Sequence, residues 1–259
     1  MTAFESPSAW TRRSVLAGLL TAPFVGLVNG CAPISTKDSE TSGARKALVY
    51  RGPAGCEGCA ETLAERLSQS PLGMDVAFIG PDEKFPLEAS ALSGVALYAQ
   101  PGGGDDIPAA AQSFPSDFIR GVADFVTAGG SYFGVCMGAY LAGSEGFGLV
   151  NEPVEGQVNV PGFPVTDSTA QVVAVKWDET SRWTYFQEGA RLPKEGAEAY
   201  AHYETGDIAA AYYRFGEGSV GLIGPHPEAD KTWFDDDDLV DPDGDDWKYA
   251  IPLVERILS

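Results

Sequence analysis

Ser131-Tyr132-Phe133-Gly134-Val135-Cys136-Met137-Gly138-Ala139 is the stretch on which the fold turns. Its first five residues form an apolar, strand-type run, and the residues after Cys136 suit a helix, so the cysteine stands at a strand-to-helix turn. Gly134 and Gly138 let the backbone bend sharply and hold the sulfur out from the end of the strand. Unpaired N–H groups at the start of a helix favour a thiolate there. A buried structural cysteine fits the same letters, because free Cys is among the most buried residue types. G-x-C-x-G gains chemical meaning only from partners elsewhere in the chain.

Two loops supply candidate partners. Gly224-Pro225-His226-Pro227-Glu228 directly follows the strand-type run Ser219 to Ile223. A cysteine nucleophile needs a base, and the base needs a group that orients it. His226 suits the first role. Glu228, two residues on and on the same side of an extended segment, suits the second. The other histidine, His202, lies in Tyr200-Ala201-His202-Tyr203-Glu204 and reads as structural. The second loop, Gln100-Pro101-Gly102-Gly103-Gly104-Asp105-Asp106, ends the apolar run Val95 to Ala99. Its glycines let backbone N–H groups approach a substrate, and with the N–H of Met137 they can form an oxyanion hole. Standing alone, the loop would be an ordinary glycine turn.

Working outward, Ala47 to Arg51 and Asp75 to Ile79 read as strands, and Cys59 to Ser70 as a helix with Leu63 and Leu67 on one face. Phe118 to Ala128 reads as a helix with Phe118, Val122, Phe125 and Val126 inward, closed by Gly129-Gly130. Apolar strands alternating with amphipathic helices imply a mostly parallel sheet covered on both faces, an α/β three-layer sandwich. From Val154 to Val220 the pattern changes. Gln171 to Lys176, Trp183 to Gln187 and Ala209 to Phe215 alternate and are rich in aromatics, the mark of an appended antiparallel β region. Trp247 to Leu258 reads as a last helix.

Pro101-Gly102-Gly103, Gly134-x-Cys136-x-Gly138 and His226-x-Glu228, in that order and spacing, resemble the class I glutamine amidotransferase-like superfamily, with its flavodoxin-like fold. Leu48-Val49-Tyr50-Arg51-Gly52-Pro53, Tyr98-Ala99-Gln100-Pro101-Gly102-Gly103 and Gly134-Val135-Cys136-Met137-Gly138-Ala139-Tyr140 are most similar to the N-terminal domain of some biotin–protein ligases. The resemblance runs from residue 47 to 259. It implies Cys136 as nucleophile, His226 as base and Glu228 as its orienter, with Gly102, Gly103, Met137 and Tyr140 around the substrate. Glutamine-hydrolysing members carry Gln four residues after the nucleophile. Tyr140 stands there instead, and its ring does not supply those hydrogen bonds, so glutamine is not implied as the substrate. Biotin is not implied by these residues either, nor is any cofactor or resident metal.

Thr11-Arg12-Arg13-Ser14-Val15-Leu16 resembles a twin-arginine export signal. The apolar stretch Val15 to Val28 behind it is short for a membrane span. Leu27-Val28-Asn29-Gly30-Cys31-Ala32 resembles a lipobox, with Cys31 the lipidated residue; ordinary signal cleavage nearby is the alternative. The expected organisation is a signal over 1–30, a polar Ser/Thr-rich tether over 31–46, and one domain over 47–259. The protein is then expected outside the cytoplasmic membrane, held to it by the lipid alone. With 37 acidic against 17 basic residues the formal charge is −20, which argues against nucleic acid as a partner.

Cys56-Glu57-Gly58-Cys59 opens the first helix. It suits a small disulfide in an exported protein, or a reactive redox pair. It lies at the carboxyl edge of the sheet, where sites form, so either cysteine can approach Cys136 as a resolving thiol. A metal shared with His226 is a third reading, weakened because one C-x-x-C falls short of a zinc ligand set. The acidic run Asp235 to Asp238 and Asp241 to Asp246 lacks the glycine spacing of an EF-hand loop and reads as a solvated rim of the site. Three functions stand open: a cysteine hydrolase acting on an amide or acyl substrate, a binding module with a relic pocket, and a thiol-redox protein using Cys56 and Cys59.

Overall fold

The computed structural model describes residues 43–259. The signal over 1–30, Cys31 and most of the tether lie outside the described residues. Strand β1 (Lys46–Tyr50) is followed by helix α1 (Cys59–Ser68), β2 (Asp75–Ile79), β3 (Leu97–Gln100) and the short helix α2 (Ile107–Gln112). Next come α3 (Ser116–Thr127), β4 (Ser131–Val135) and the short helix α4 (Met137–Ala142). β1 to β4 are short and pair in parallel; β1, β3 and β4 are buried on both faces along nearly all their length, whereas β2 is a half-buried edge strand.

The alternating side chains of β1 divide the interior. Ala47 and Val49 face a core built with Leu63 and Leu67 of α1. Leu48 and Tyr50 face a second core with Phe118, Val122 and Val126 of α3. These two cores are the two interfaces of a three-layer sandwich. Along α3 the buried positions are Phe118, Gly121, Val122 and Val126, while Phe125 is only half-buried.

After α4 the chain forms β5 (Glu155–Gly156), β6 (Gln171–Trp177), β7 (Thr180–Phe186), β8 (Ala190–Arg191), β9 (Glu198–Tyr203), β10 (Ile208–Phe215) and β11 (Gly218–Ile223). β11 returns to pair in parallel with β4. The nine-stranded sheet has the order β2-β1-β3-β4-β11-β10-β9-β6-β7. Its β10, β9, β6 and β7 are antiparallel, so they extend the central sheet. β5 and β8 make a separate two-stranded ribbon. Helices α5 (Lys231–Asp236) and α6 (Trp247–Ile257) complete the chain, α6 packing Leu253, Val254 and Ile257 into the core on the α1 side. Among the described residues no helix is long and apolar enough to cross a membrane. His202 lies exposed on β9.

The acidic run is held by neighbours. Arg182 Nε donates to Asp246 at 2.8 Å, and the same guanidinium donates to the carbonyls of Asp243 and Gly244. Arg66 pairs with Asp245, and the Tyr185 hydroxyl donates to Asp237. Among the described residues no group of three His, Cys, Asp or Glu stands together as a metal-binding set.

Candidate active site

β3, β4 and β11 end side by side, and the glycine loop, Cys136 and His226 hang from their carboxyl ends in turn. The backbone N–H of Cys136 donates to the carbonyl of Ile223, the last residue of β11, at 2.8 Å. Cys136 itself has φ 49° and ψ −104°, outside the regions that residues with side chains ordinarily occupy. The flanking glycines follow from the same turn. A Cβ on Gly134 would overlap the carbonyl of Gly138, and one on Gly138 would overlap the carbonyl of Gln100. The bend fits only where both positions lack side chains.

His226 lies just past β11, only 5% exposed, with its backbone N–H held by the carbonyl of Tyr185 at 2.9 Å. Nδ1 meets Glu228 Oε1 at 2.8 Å, and the Cys136 side chain lies close enough to act on the ring electrostatically. Burial alone would push the imidazole pKa down. The Glu228 carboxylate and the Cys136 side chain outweigh it and raise the pKa to about 10. Glu228 is fully buried, and its second oxygen, Oε2, has no partner among the described residues. Arg66 of α1 donates to the carbonyls of Glu228 and Ala229, which pins the loop to the first helix.

These residues open on a cleft of about 380 Å³. Of the site residues expected from the sequence, Gly103, Cys136, Tyr140, His226 and Cys56 line it, whereas Gly102, Met137 and Glu228 stand behind its wall. Neither the Gly103 N–H nor the Met137 N–H has a hydrogen-bond partner among the described residues. A Cβ on Gly103 would lie 2.8 Å from Met137 Cγ, so these two oxyanion candidates are in contact. Gly102 packs against the imidazole edge: a Cβ there would be 2.6 Å from His226 Cε1. The Tyr140 hydroxyl donates to the carbonyl of Glu188 at 2.7 Å, and burial raises its pKa. Cys56 and Cys59 are disulfide-bonded, which leaves Cys136 the free cysteine among the described residues.

Five residues of the wall, Ile107, Ser168, Gln187, Glu188 and Trp233, escaped the sequence reading. Gln187 and Glu188 directly follow β7 and Ser168 precedes β6, and the Cys136 thiol donates to the carbonyl of Gln187 at 3.7 Å. Glu188 takes a positive φ of 50° just past the end of β7, which turns the chain across the cleft mouth. Trp233 of α5 closes another side, its ring 5.1 Å from that of His226. A second hollow of about 530 Å³ lies against α5, lined by Arg66, Asp230, Asp235 and Asp245 among others, with no Cys, Ser or His in its wall.

Comparison with known proteins agrees with this architecture. Curated protein sequences gave no match to this chain. Among solved structures, a crystal structure of glutamine amidotransferase is similar with a TM-score of 0.51 and 18% identity, over 70% of this chain and 90% of that one. A putative GMP synthase protein from Thermoplasma acidophilum gives 0.50 and 16% identity, over 83% of this chain and 96% of that one. At such identities the likeness is one of fold. The family model described as biotin-protein ligase, N terminal, matches residues 45–158, a span that holds Cys56, Gly102, Gly103, Cys136 and Tyr140 but ends before His226. Residues 45–158 are therefore similar to the biotin–protein ligase N-terminal family, within a chain whose fold is like that of glutamine amidotransferases.

Proposed function

We propose that the chain is a cysteine hydrolase or acyltransferase-like enzyme acting on an amide or acyl substrate, with Cys136 as nucleophile, His226 as base and Glu228 as its orienter. The observation that carries this reading is the Glu228 Oε1–His226 Nδ1 hydrogen bond beside Cys136, which lines the same cleft from a strained turn. In this mechanism the sulfur attacks the substrate carbonyl carbon, and the oxyanion is received by the N–H groups of Gly103 and Met137. His226 gives its proton to the leaving amine or alcohol as the tetrahedral adduct collapses to an acyl-enzyme. Water, deprotonated by the same ring, then releases the acid and frees the sulfur. Tyr140 fills the place where an amide-recognising Gln would sit, and its hydroxyl is occupied by the Glu188 carbonyl. That argues against glutamine as the substrate.

The test is to profile the purified protein against a library of amides and esters, reading intact mass. An acyl adduct on Cys136, absent in Cys136→Ser, is expected for the accepted substrates. No adduct and no turnover across the library would favour a binding module that keeps the pocket.

Export and lipid anchoring belong to the same proposal, supported by Arg12-Arg13, by the Cys31 context and by a C-x-x-C closed as a disulfide. Cys31→Ala is expected to move the protein from the membrane fraction to the soluble one. Unchanged fractionation would contradict the anchor.

A further inference from the structure

The disulfide Cys56–Cys59 borders the cleft that holds Cys136. The Cys56 N–H donates to the Gly102 carbonyl at 3.0 Å, which fastens this loop to the glycine loop. The point where a Cβ of Gly102 would stand is 2.6 Å from His226 Cε1 and 3.6 Å from Cys56 Sγ. The disulfide thus lies beside the imidazole that shares the cleft with Cys136. Its two sulfurs are unequal. Cys56 is half-buried and looks into the cleft, whereas Cys59 is 2% exposed and is the first residue of the ten-residue helix α1. A thiolate arriving from the cleft meets Cys56. The departing charge then falls on Cys59, at a helix end whose free N–H groups stabilise an anion.

We propose that the cleft carries an intramolecular thiol–disulfide exchange. The Cys136 thiolate attacks Cys56 Sγ, a Cys136–Cys56 disulfide forms, and the Cys56–Cys59 bond breaks with its electron pair leaving on Cys59 Sγ. One disulfide replaces another, so neither oxidant nor reductant is consumed. Attack of Cys59 on Cys56 reverses the step and restores the free nucleophile. In the exchanged form the sulfur at the strained turn is capped and closed to acyl substrates, while α1 opens on a thiolate. The inference uses the reactive Cys136 of the proposed function but none of its acyl chemistry.

The test uses the full chain carrying Cys31→Ser, so that three cysteines remain. After Cys59→Ser and treatment with diamide, non-reducing peptide mass spectrometry is expected to find Cys56 joined to Cys136. The link should form about tenfold faster than the glutathione adduct of Cys56 in the Cys59→Ser/Cys136→Ser protein, because the two thiols are held in one cleft. In the three-cysteine chain, N-ethylmaleimide is expected to mark Cys59 in a fraction of molecules, and Cys136→Ser should abolish that label. Absence of the Cys56–Cys136 peptide, with label on Cys136 alone, overturns the proposal. Should Cys59→Ser lose its fold by circular dichroism, the label distribution decides. Acyl adducts on Cys136 without the linked peptide would sink the exchange and leave the hydrolase standing. The linked peptide without acyl adducts would do the reverse.

Discussion

Cys136 holds a backbone conformation that costs a residue with a side chain about 1–3 kcal/mol, and the surrounding turn must supply that energy. Gly138→Ala tests the turn. Its new methyl group meets the Gln100 carbonyl, so a stability loss of about 1–3 kcal/mol in urea and slower alkylation of Cys136 are expected. Unchanged values for both would show that the bend has room to spare. His226 makes a second expectation. Its pKa rises from 6.5 unfolded to about 10 folded, so its stabilising contribution is complete below pH 6.5 and lost as pH climbs towards 10. Melting temperature should therefore fall between pH 6.5 and 10, and fall less in His226→Gln. A parallel decline in both proteins would contradict the raised pKa. Much of this scale was legible in the sequence, because Gly134, Cys136, Gly138 and the His226-x-Glu228 pair each carry their chemistry in local spacing.

At the scale of elements, the strands and helices that present the site read directly from apolar runs. β2 and β4 have the bounds expected from their letters, and α1 starts at Cys59 as expected. The far wall of the cleft did not read so well. Gln187 and Glu188 reach it because β7 carries Tyr185 to a backbone bond with His226, and the Gln187 side chain donates to the carbonyl of Ser168, pairings between residues distant in sequence. Local periodicity holds no record of such a pairing. The acidic loop likewise looked solvated, yet Arg182 and Asp246 are both buried and joined. Arg182→Ala would leave the Asp246 carboxylate buried without its partner. A loss of about 3–5 kcal/mol is expected by chemical denaturation at neutral pH. A loss near zero would mean that the loop opens and rehydrates the carboxylate without harm to the rest.

At the scale of the whole molecule, the net charge of −20 sets like charges against one another over a single domain surface. Raising NaCl from low millimolar to 1 M shortens the Debye length from tens of ångströms to about 3 Å. The melting temperature is expected to climb with it, and a flat or falling curve would show that local ion pairs dominate the surface. The two-core sandwich brings three loops distant in sequence to one edge of the sheet: the glycine loop after β3, the turn after β4 and the His226 loop after β11. Alkylation kinetics test that convergence most directly. Iodoacetamide should modify Cys136 at neutral pH well faster than free cysteine, and His226→Ala should slow it by about 100-fold. A rate equal to that of free cysteine, unaltered by His226→Ala, would contradict a nucleophile activated by this imidazole.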